Sequence, residues 1–249
     1  MILIADLLKM LLCIDVFFID FYKKHIIIIL PLRGNYRVNK NYLINMTKRI
    51  STKKKASRSL SANLWGRAND TFAKRNFRPG QHGNALKRET VYGTQLRAKQ
   101  KLKKYYANIN ETQFKNLFLK AKSKKGDAAE TFVGLLERRL DTVIYRANFV
   151  PTMYAARQVV DHKHVLVNGK TVNIPSYLVN PEDVIEIKEG ARKIALISDS
   201  VARMEREVPP YLTLDKDNFS VKFNAVPKID EVPYPVVMDV NLVVEFYSR

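Results

Sequence analysis

The sequence predicts an α+β fold: a mostly helical, basic N-terminal domain, then a small module of two helices and a β-hairpin, then short C-terminal strands. Three observations predict it. Positive charge is concentrated between Met46 and Glu137. Apolar residues recur at helical spacing from there to about Val160. The period then shortens to two on either side of Asn168-Gly169, a dipeptide that favours tight hairpins.

The chain has 249 residues, enough for one large domain or two small ones, and its 46% hydrophobic content supports an ordinary core. Lys and Arg number 43 against 24 Asp and Glu, a formal net charge of +19. Such an excess opposes compaction by self-repulsion unless a polyanion offsets it. Residues 46–137 carry net +16, residues 138–192 net +2, residues 193–249 net −2 and residues 1–45 net +3. One localised positive segment is the footprint of nucleic acid binding, with an anionic membrane surface as the rival and a solvated basic helix face as the bland alternative. Cys13 is the single cysteine, so no intrachain disulfide and no cysteine-based zinc knuckle can form. His162 and His164 stand two apart with no evident third ligand, so neither a metal nor a cofactor is expected.

Residues 1–45 form a leader. Met1 to Leu32 is rich in Ile, Leu and Phe, but Asp6, Lys9, Asp15, Asp20, Lys23 and Lys24 interrupt it before any run of about 18 apolar residues accumulates. Three aspartates precede the first arginine, Arg33, which fits neither a secretory signal nor a mitochondrial presequence. The leader is expected to lie outside the functional fold, with Met46 as the natural start and a membrane anchor as the alternative; no membrane partner is expected.

Residues 46–137 form the basic helical domain. Lys48 to Arg58 holds six cations and no acid, the pattern of a flexible arm that orders on a polyanion. Arg78-Pro79-Gly80-Gln81-His82-Gly83 is a turn whose backbone N–H groups can approach a phosphate. Tyr92 to Tyr106 is expected to be a basic helix, with Tyr92, Tyr105 and Tyr106 available for stacking. Candidate contacts here are Arg78, Gln81, His82, Lys87, Arg88, Tyr92, Arg97, Lys99, Lys101, Lys103 and Lys104. Phe114 to Lys125 continues as an amphipathic helix with Lys115, Lys122 and Lys125 outward, ended by Gly126.

Residues 138–200 form the compact module. Leu136, Leu140, Val143, Ile144 and Ala147 recur as a buried helical stripe, with Arg138, Arg139 and Arg146 off it. Thr152 is expected to cap a second helix whose core face is Met153, Ala156 and Val160, leaving Arg157 and Gln158 outward. Val165–Val167 and Lys170–Val172 flank the Asn168-Gly169 turn, and Val184–Ile187 is a further strand. Residues 201–249, with Thr213, Val221, Phe223, Val236, Val240 and Val243 at strand-like spacings broken by prolines, are expected to form short strands that pack back on the chain and turn an acidic surface to a protein neighbour.

Arg139-Leu140-Asp141, Ala155-Ala156-Arg157-Gln158-Val159-Val160 and His164-Val165-Leu166-Val167-Asn168-Gly169-Lys170 resemble the RNA-binding module named after ribosomal protein S-four. Arg78 to Gly83, Tyr92-Gly93-Thr94-Gln95-Leu96-Arg97, Lys99-Gln100-Lys101 and the ending Leu242 to Arg249 resemble that ribosomal protein family itself, of bacterial or organellar type, over about residues 46–249. The resemblance implies a non-enzymatic small-subunit component, monomeric within a cytoplasmic or organellar ribosome. It implies early binding of 16S-type ribosomal RNA, a place beside ribosomal protein S-five and other small-subunit proteins near the messenger RNA entrance, and an influence on decoding accuracy. It also implies that Arg139, Asp141, Thr152, Arg157, Gln158, Lys163, Asn168 and Gly169 line the module's RNA face, with Asp141 orienting neighbouring arginines; Arg138 and Lys170 are further candidate RNA contacts.

The enzymatic rival is a pseudouridine synthase bearing the same module, in which Asp141 would be the nucleophile. The 57 residues after Arg192 are too few for a catalytic domain of that kind. Gly169-Lys170-Thr171 lacks the earlier glycine of a phosphate-binding loop, since His164 stands there. No catalytic residue is expected. A free-standing RNA chaperone for stalled ribosomes is the third reading.

Overall fold

The computed structural model describes residues 53–67, 69–85 and 88–248. The leader and the first part of the basic arm therefore lie outside the described residues. The helical elements are α1 (Lys53–Leu60), α2 (Thr71–Lys74), α3 (Val91–Tyr105), α4 (Glu111–Lys122), α5 (Ala128–Glu137), α6 (Leu140–Arg146) and α7 (Met153–Asp161), then α8 (Glu189–Arg192), α9 (Ala195–Arg203) and α10 (Val240–Ser248). The strands are β1 (Val165–Val167), β2 (Lys170–Val172), β3 (Val184–Ile187), β4 (Leu212–Asp215) and β5 (Ser220–Phe223).

The basic arm departs from expectation. Its second half is helix α1, which buries Ser57 and Leu60 and packs on α3. Ser57 and Leu60 give that helix a buried face. Arg58 donates from Nε to the Phe77 carbonyl at 3.1 Å and from Nη2 to the Arg78 carbonyl at 3.3 Å, tying α1 to the glycine-bearing turn.

Helices α3, α4 and α5 and the C-terminal α10 build the N-terminal core. Thr90 caps α3 by accepting from Gly93 N, and Asp127 caps α5 by accepting from Ala129 N. Gly126, at φ +112°, makes the reversal between α4 and α5 that a side chain would strain. Phe114 and Phe118 of α4 meet Phe132 of α5 edge-on, with ring centroids 5.0 and 5.8 Å apart. Tyr247 of α10 stacks on Phe118 at 5.0 Å. Each fully buried ring contributes about 1.5–3 kcal/mol.

Helix α10 overturns the strand expectation for Val240 and Val243, and Val236 lies in the irregular stretch before it. Val240, Val243, Val244 and Tyr247 also fit helical spacing, and the surface of α3 is there to receive them. Packing against a neighbour outweighs the β preference of valine.

The expected continuous helix from Leu136 to Ala147 is two helices. Arg139 takes extended backbone angles, and Leu140 N donates to the Tyr177 carbonyl at 2.9 Å instead of to its own helix. Helix α7 starts as expected, with Thr152 Oγ1 accepting from Ala155 N at 3.0 Å. The hairpin also agrees: Asn168 (φ +49°) and Gly169 (φ +76°) both occupy the left-handed region that a type I′ turn requires.

The sheet is antiparallel with strand order β2-β1-β3-β5-β4. The C-terminal hairpin thus extends the module's sheet, with Ile185 opposite Val221. Its inner face carries Val165, Val167, Ile185, Ile187, Val221 and Phe223 into the core. Among the described residues no helix is long and apolar enough to cross a membrane.

Candidate nucleic-acid interface

The arginines of the module turn largely inward. Arg139 forks onto Asp141, from Nε to Oδ1 at 3.0 Å and from Nη2 to Oδ2 at 2.8 Å. Arg157 reaches the same Oδ2 at 3.1 Å and donates to the carbonyls of Ala107 at 2.8 Å and Tyr106 at 3.3 Å. Asp141 therefore orients two arginines, and Arg157 clasps the module to the turn after α3. Arg139 is only 2% exposed, Asp141 is buried beside it, and Arg157 is half-buried. The expectation that Arg139 and Arg157 face outward is corrected: the break before α6 turns Arg139 inward, and backbone carbonyls consume the Arg157 guanidinium.

Arg146, expected off the apolar stripe, is buried as well. It donates from Nε and Nη2 to the two carboxylate oxygens of Glu137 at 3.0 and 2.9 Å. Tyr106 and Tyr211 donate to the same carboxylate at 2.6 and 2.9 Å. Burial alone would lower the pKa of Arg146, but the negative charge of Glu137 and the nearby tyrosines hold it well above its ordinary value. Tyr105 and Tyr106 are inside this cluster, 1% exposed each, so they are unavailable to stack on bases. Tyr92 remains exposed, with its ring 5.7 Å from that of Phe246.

Three cations of α3, Arg97, Lys99 and Lys103, are ion-paired within the chain. Lys99 and Lys103 donate to the two oxygens of Glu111 at 2.8 and 2.9 Å, and Lys99 lies 4.3 Å from the centre of the Phe246 ring. Burial would raise the pKa of Glu111, but hydrogen bonds from Lys99, Lys103 and Tyr247 bring it down to about 2. Arg78 and Arg97 both pair with Glu89. Lys101 donates to the Val237 carbonyl at 2.7 Å, and Lys104 to Ser59 Oγ at 3.3 Å. Partial burial, reinforced by Lys103, lowers the pKa of Lys104.

Other predicted residues do stand in solvent. Gln81, His82 and Arg88 are exposed in the loop before α3, while Lys87 lies outside the described residues. Gln158 on α7, Lys163 just after it, and Asn168, Gly169 and Lys170 at the hairpin tip are exposed. Asn168 also holds the tip, donating to Asp183 at 2.8 Å and accepting from Val184 N at 2.9 Å. Arg138 bridges to the Val179 carbonyl and Asn180 Oδ1 and lines a groove with Lys124 and Lys228.

Known families match this chain in two consecutive stretches. Residues 48–137 match the ribosomal protein S4/S9 N-terminal domain, and residues 138–185 match the S4 domain. The chain is 56% identical over 205 residues to small ribosomal subunit protein uS4 of Pelagibacter ubique, which covers 82% of this chain and all of that protein. The uS4 proteins of Azorhizobium caulinodans and Xanthobacter autotrophicus are 53% and 51% identical over the same coverage. The chain belongs to the uS4 family.

In this uS4 family member the two matched stretches meet between Glu137 and Arg138, and the buried Glu137 carboxylate joins them. It takes Tyr106 from one side, Arg146 from the other and Tyr211 from the C-terminal segment. Reading the sequence alone overlooked Lys120, Lys124 and Lys228. Lys120 and Lys124 accompany the expected Lys115, Lys122 and Lys125 along α4 and the turn after it, all exposed and without an ion pair among the described residues. The available signal was the absence of acid from Lys115 to Lys125, which leaves that lysine run uncompensated.

Proposed function

We propose that this chain is a structural protein of the small ribosomal subunit that binds 16S-type ribosomal RNA early in assembly. The observation that carries the reading is the division among its cations. Lys99 and Lys103 of α3 are paired with Glu111, whereas Lys115, Lys120, Lys122, Lys124 and Lys125 form an exposed positive surface without an ion pair among the described residues. Neutralising phosphates releases counterions, and A-form RNA hides its base edges in a deep major groove, so charge and contour dominate over sequence. The exposed loop residues Gln81, His82 and Arg88 and the module residues Gln158, Lys163, Asn168, Gly169 and Lys170 extend this surface. Arg139, Asp141, Thr152 and Arg157 serve it by fixing the module's shape.

The family's bacterial relatives support a cytoplasmic ribosome, with an organellar one as the alternative. Ribosomal protein S-five, other small-subunit proteins and messenger RNA are the further partners of this reading, together with an effect on decoding accuracy. The buried, doubly paired Asp141 supports a structural role over that of a nucleophile.

The test is binding of the purified chain to small-subunit ribosomal RNA across a salt series. Each phosphate that a variant no longer neutralises lowers the slope of log affinity against log salt by about 0.7–0.9. Replacing Lys120, Lys122, Lys124 and Lys125 by Ala is expected to flatten the slope by about 3, whereas Lys99→Met leaves it nearly unchanged. Salt-insensitive binding by the unaltered chain would sink the reading.

A further inference from the structure

A cavity of about 340 Å³ opens between Trp65-Gly66, helix α6 and the C-terminal stretch Pro233–Pro235. Trp65, Tyr105, Tyr145 and Tyr234 give it aromatic walls, and the exposed Gly66, Glu207, Pro233 and Pro235 form its rim. Beside it two guanidinium groups converge on one neutral oxygen. Arg67 Nη2 and Arg206 Nη1 both donate to the Pro151 carbonyl, at 3.0 and 3.2 Å. Arg206 also donates to the carbonyls of Val150 and Tyr145, at 2.7 and 3.2 Å, and lies 4.1 Å from the centre of the Tyr145 ring. Neither arginine forms an ion pair among the described residues, and Arg206 Nε is buried without an acceptor. Arg146, on the same cavity, is neutralised by Glu137. The charge left over therefore belongs to Arg67 and Arg206.

We propose that this cavity receives one unstacked nucleotide of the bound RNA, its base against Trp65 and Tyr234 and its phosphate at the exposed Arg67, with the carbonyl-bound Arg206 adding positive charge beside it. The inference rests on the RNA-binding reading above. Its chemistry is that of single-strand recognition, in which aromatic faces take the base and planar guanidinium groups take the phosphate. The volume is at the lower end of the range for small-molecule pockets, about 300–1,000 Å³, which suits one nucleotide and not a paired stack. The Glu207 carboxylate on the rim accepts hydrogen bonds only, so it favours the two amino hydrogens of adenine over the single N3–H donor of uracil.

Trp65 is the chain's single tryptophan, so its fluorescence reports on this wall alone. The full chain is titrated with adenosine monophosphate, uridine monophosphate, inorganic phosphate and a single-stranded oligoadenylate, while binding to small-subunit ribosomal RNA is measured on the same preparation. The expected result is a saturable change with adenosine monophosphate and the oligonucleotide, and affinities about tenfold lower for uridine monophosphate and phosphate. Arg67→Gln with Arg206→Gln is expected to weaken the adenosine response at least about tenfold. Arg67→Gln alone alters an exposed residue and keeps the test valid if the double variant misfolds; it too must weaken binding. An unresponsive Trp65 in a chain that still binds ribosomal RNA tightly overturns the nucleotide site alone. Loss of the ribosomal RNA affinity instead overturns the underlying reading. A response to the monophosphate without one to the oligonucleotide would assign the cavity to free nucleotides and refute the RNA assignment.

Discussion

Glu137→Gln removes a buried negative charge and leaves its partner in place. The carboxylate accepts two hydrogen bonds from Arg146, one from Tyr106 and one from Tyr211, and none of its side chain is exposed. A glutamine retains one acceptor oxygen, so the Arg146 charge is left uncompensated in a largely buried site. Breaking such a pair on one side costs about 3–5 kcal/mol. For a folded unit of roughly 200 residues each kcal/mol moves the melting temperature by about 2–4 °C, so a drop of about 6–20 °C is expected. The assays are thermal and urea unfolding at neutral pH, followed by circular dichroism and by Trp65 fluorescence, with the slope of the urea transition held as a check on two-state behaviour. Replacing both partners, Glu137→Leu with Arg146→Met, removes the orphaned charge but takes the acceptor from the Tyr106 and Tyr211 hydroxyls, so it is expected to restore only part of the loss. A destabilisation below about 1 kcal/mol for Glu137→Gln, or a double variant less stable than either single one, would refute the claim that this pair locks the two matched stretches together.

Glu111 makes stability depend on acid. Its pKa is held near 2 against an ordinary value of 4.5, so its contribution is complete above 4.5 and is lost as pH falls towards 2. Because its side chain is 43% exposed, screening limits that contribution to under about 1 kcal/mol. Glu111→Gln is expected to flatten the pH dependence of the unfolding midpoint between those values, and an unaltered profile would contradict the assignment. Gly169→Val places a branched side chain at φ +76° and is expected to cost about 1–2 kcal/mol; chemical denaturation measures it, and a neutral effect would mean that the hairpin turn readily adopts another form.

The hairpin, the Thr152 cap and the helix beginning near Tyr92 were legible because each is set by residues a few positions apart. Asn168-Gly169 can hardly form anything but the tight turn it makes. What stayed hidden depends on partners distant in sequence. Nothing near Val240 announces that α3 will offer it a helical seat. Nothing near Lys99 announces that Glu111 lies one turn beyond the helix end, ready to consume its charge. The Arg139 reversal was concealed because its cause, the backbone at Tyr177, is 38 residues away. For the candidate interface the outcome is similar. The lysines after Lys115 were readable from local composition, whereas the status of Arg139, Arg146 and Arg157 was not, since guanidinium groups look alike in a sequence whether they are buried or free.

The strand order has a consequence for how the protein is made. Strand β3 exposes one edge until β5 arrives, and helix α3 lacks its cover until α10, nine residues ending at Ser248, has been synthesised. At an elongation rate of about 5–20 residues per second, helix α3 waits about 7–30 seconds for α10. The nascent chain therefore emerges as a cationic, incompletely closed intermediate, and α3 is covered only once α10 has been made.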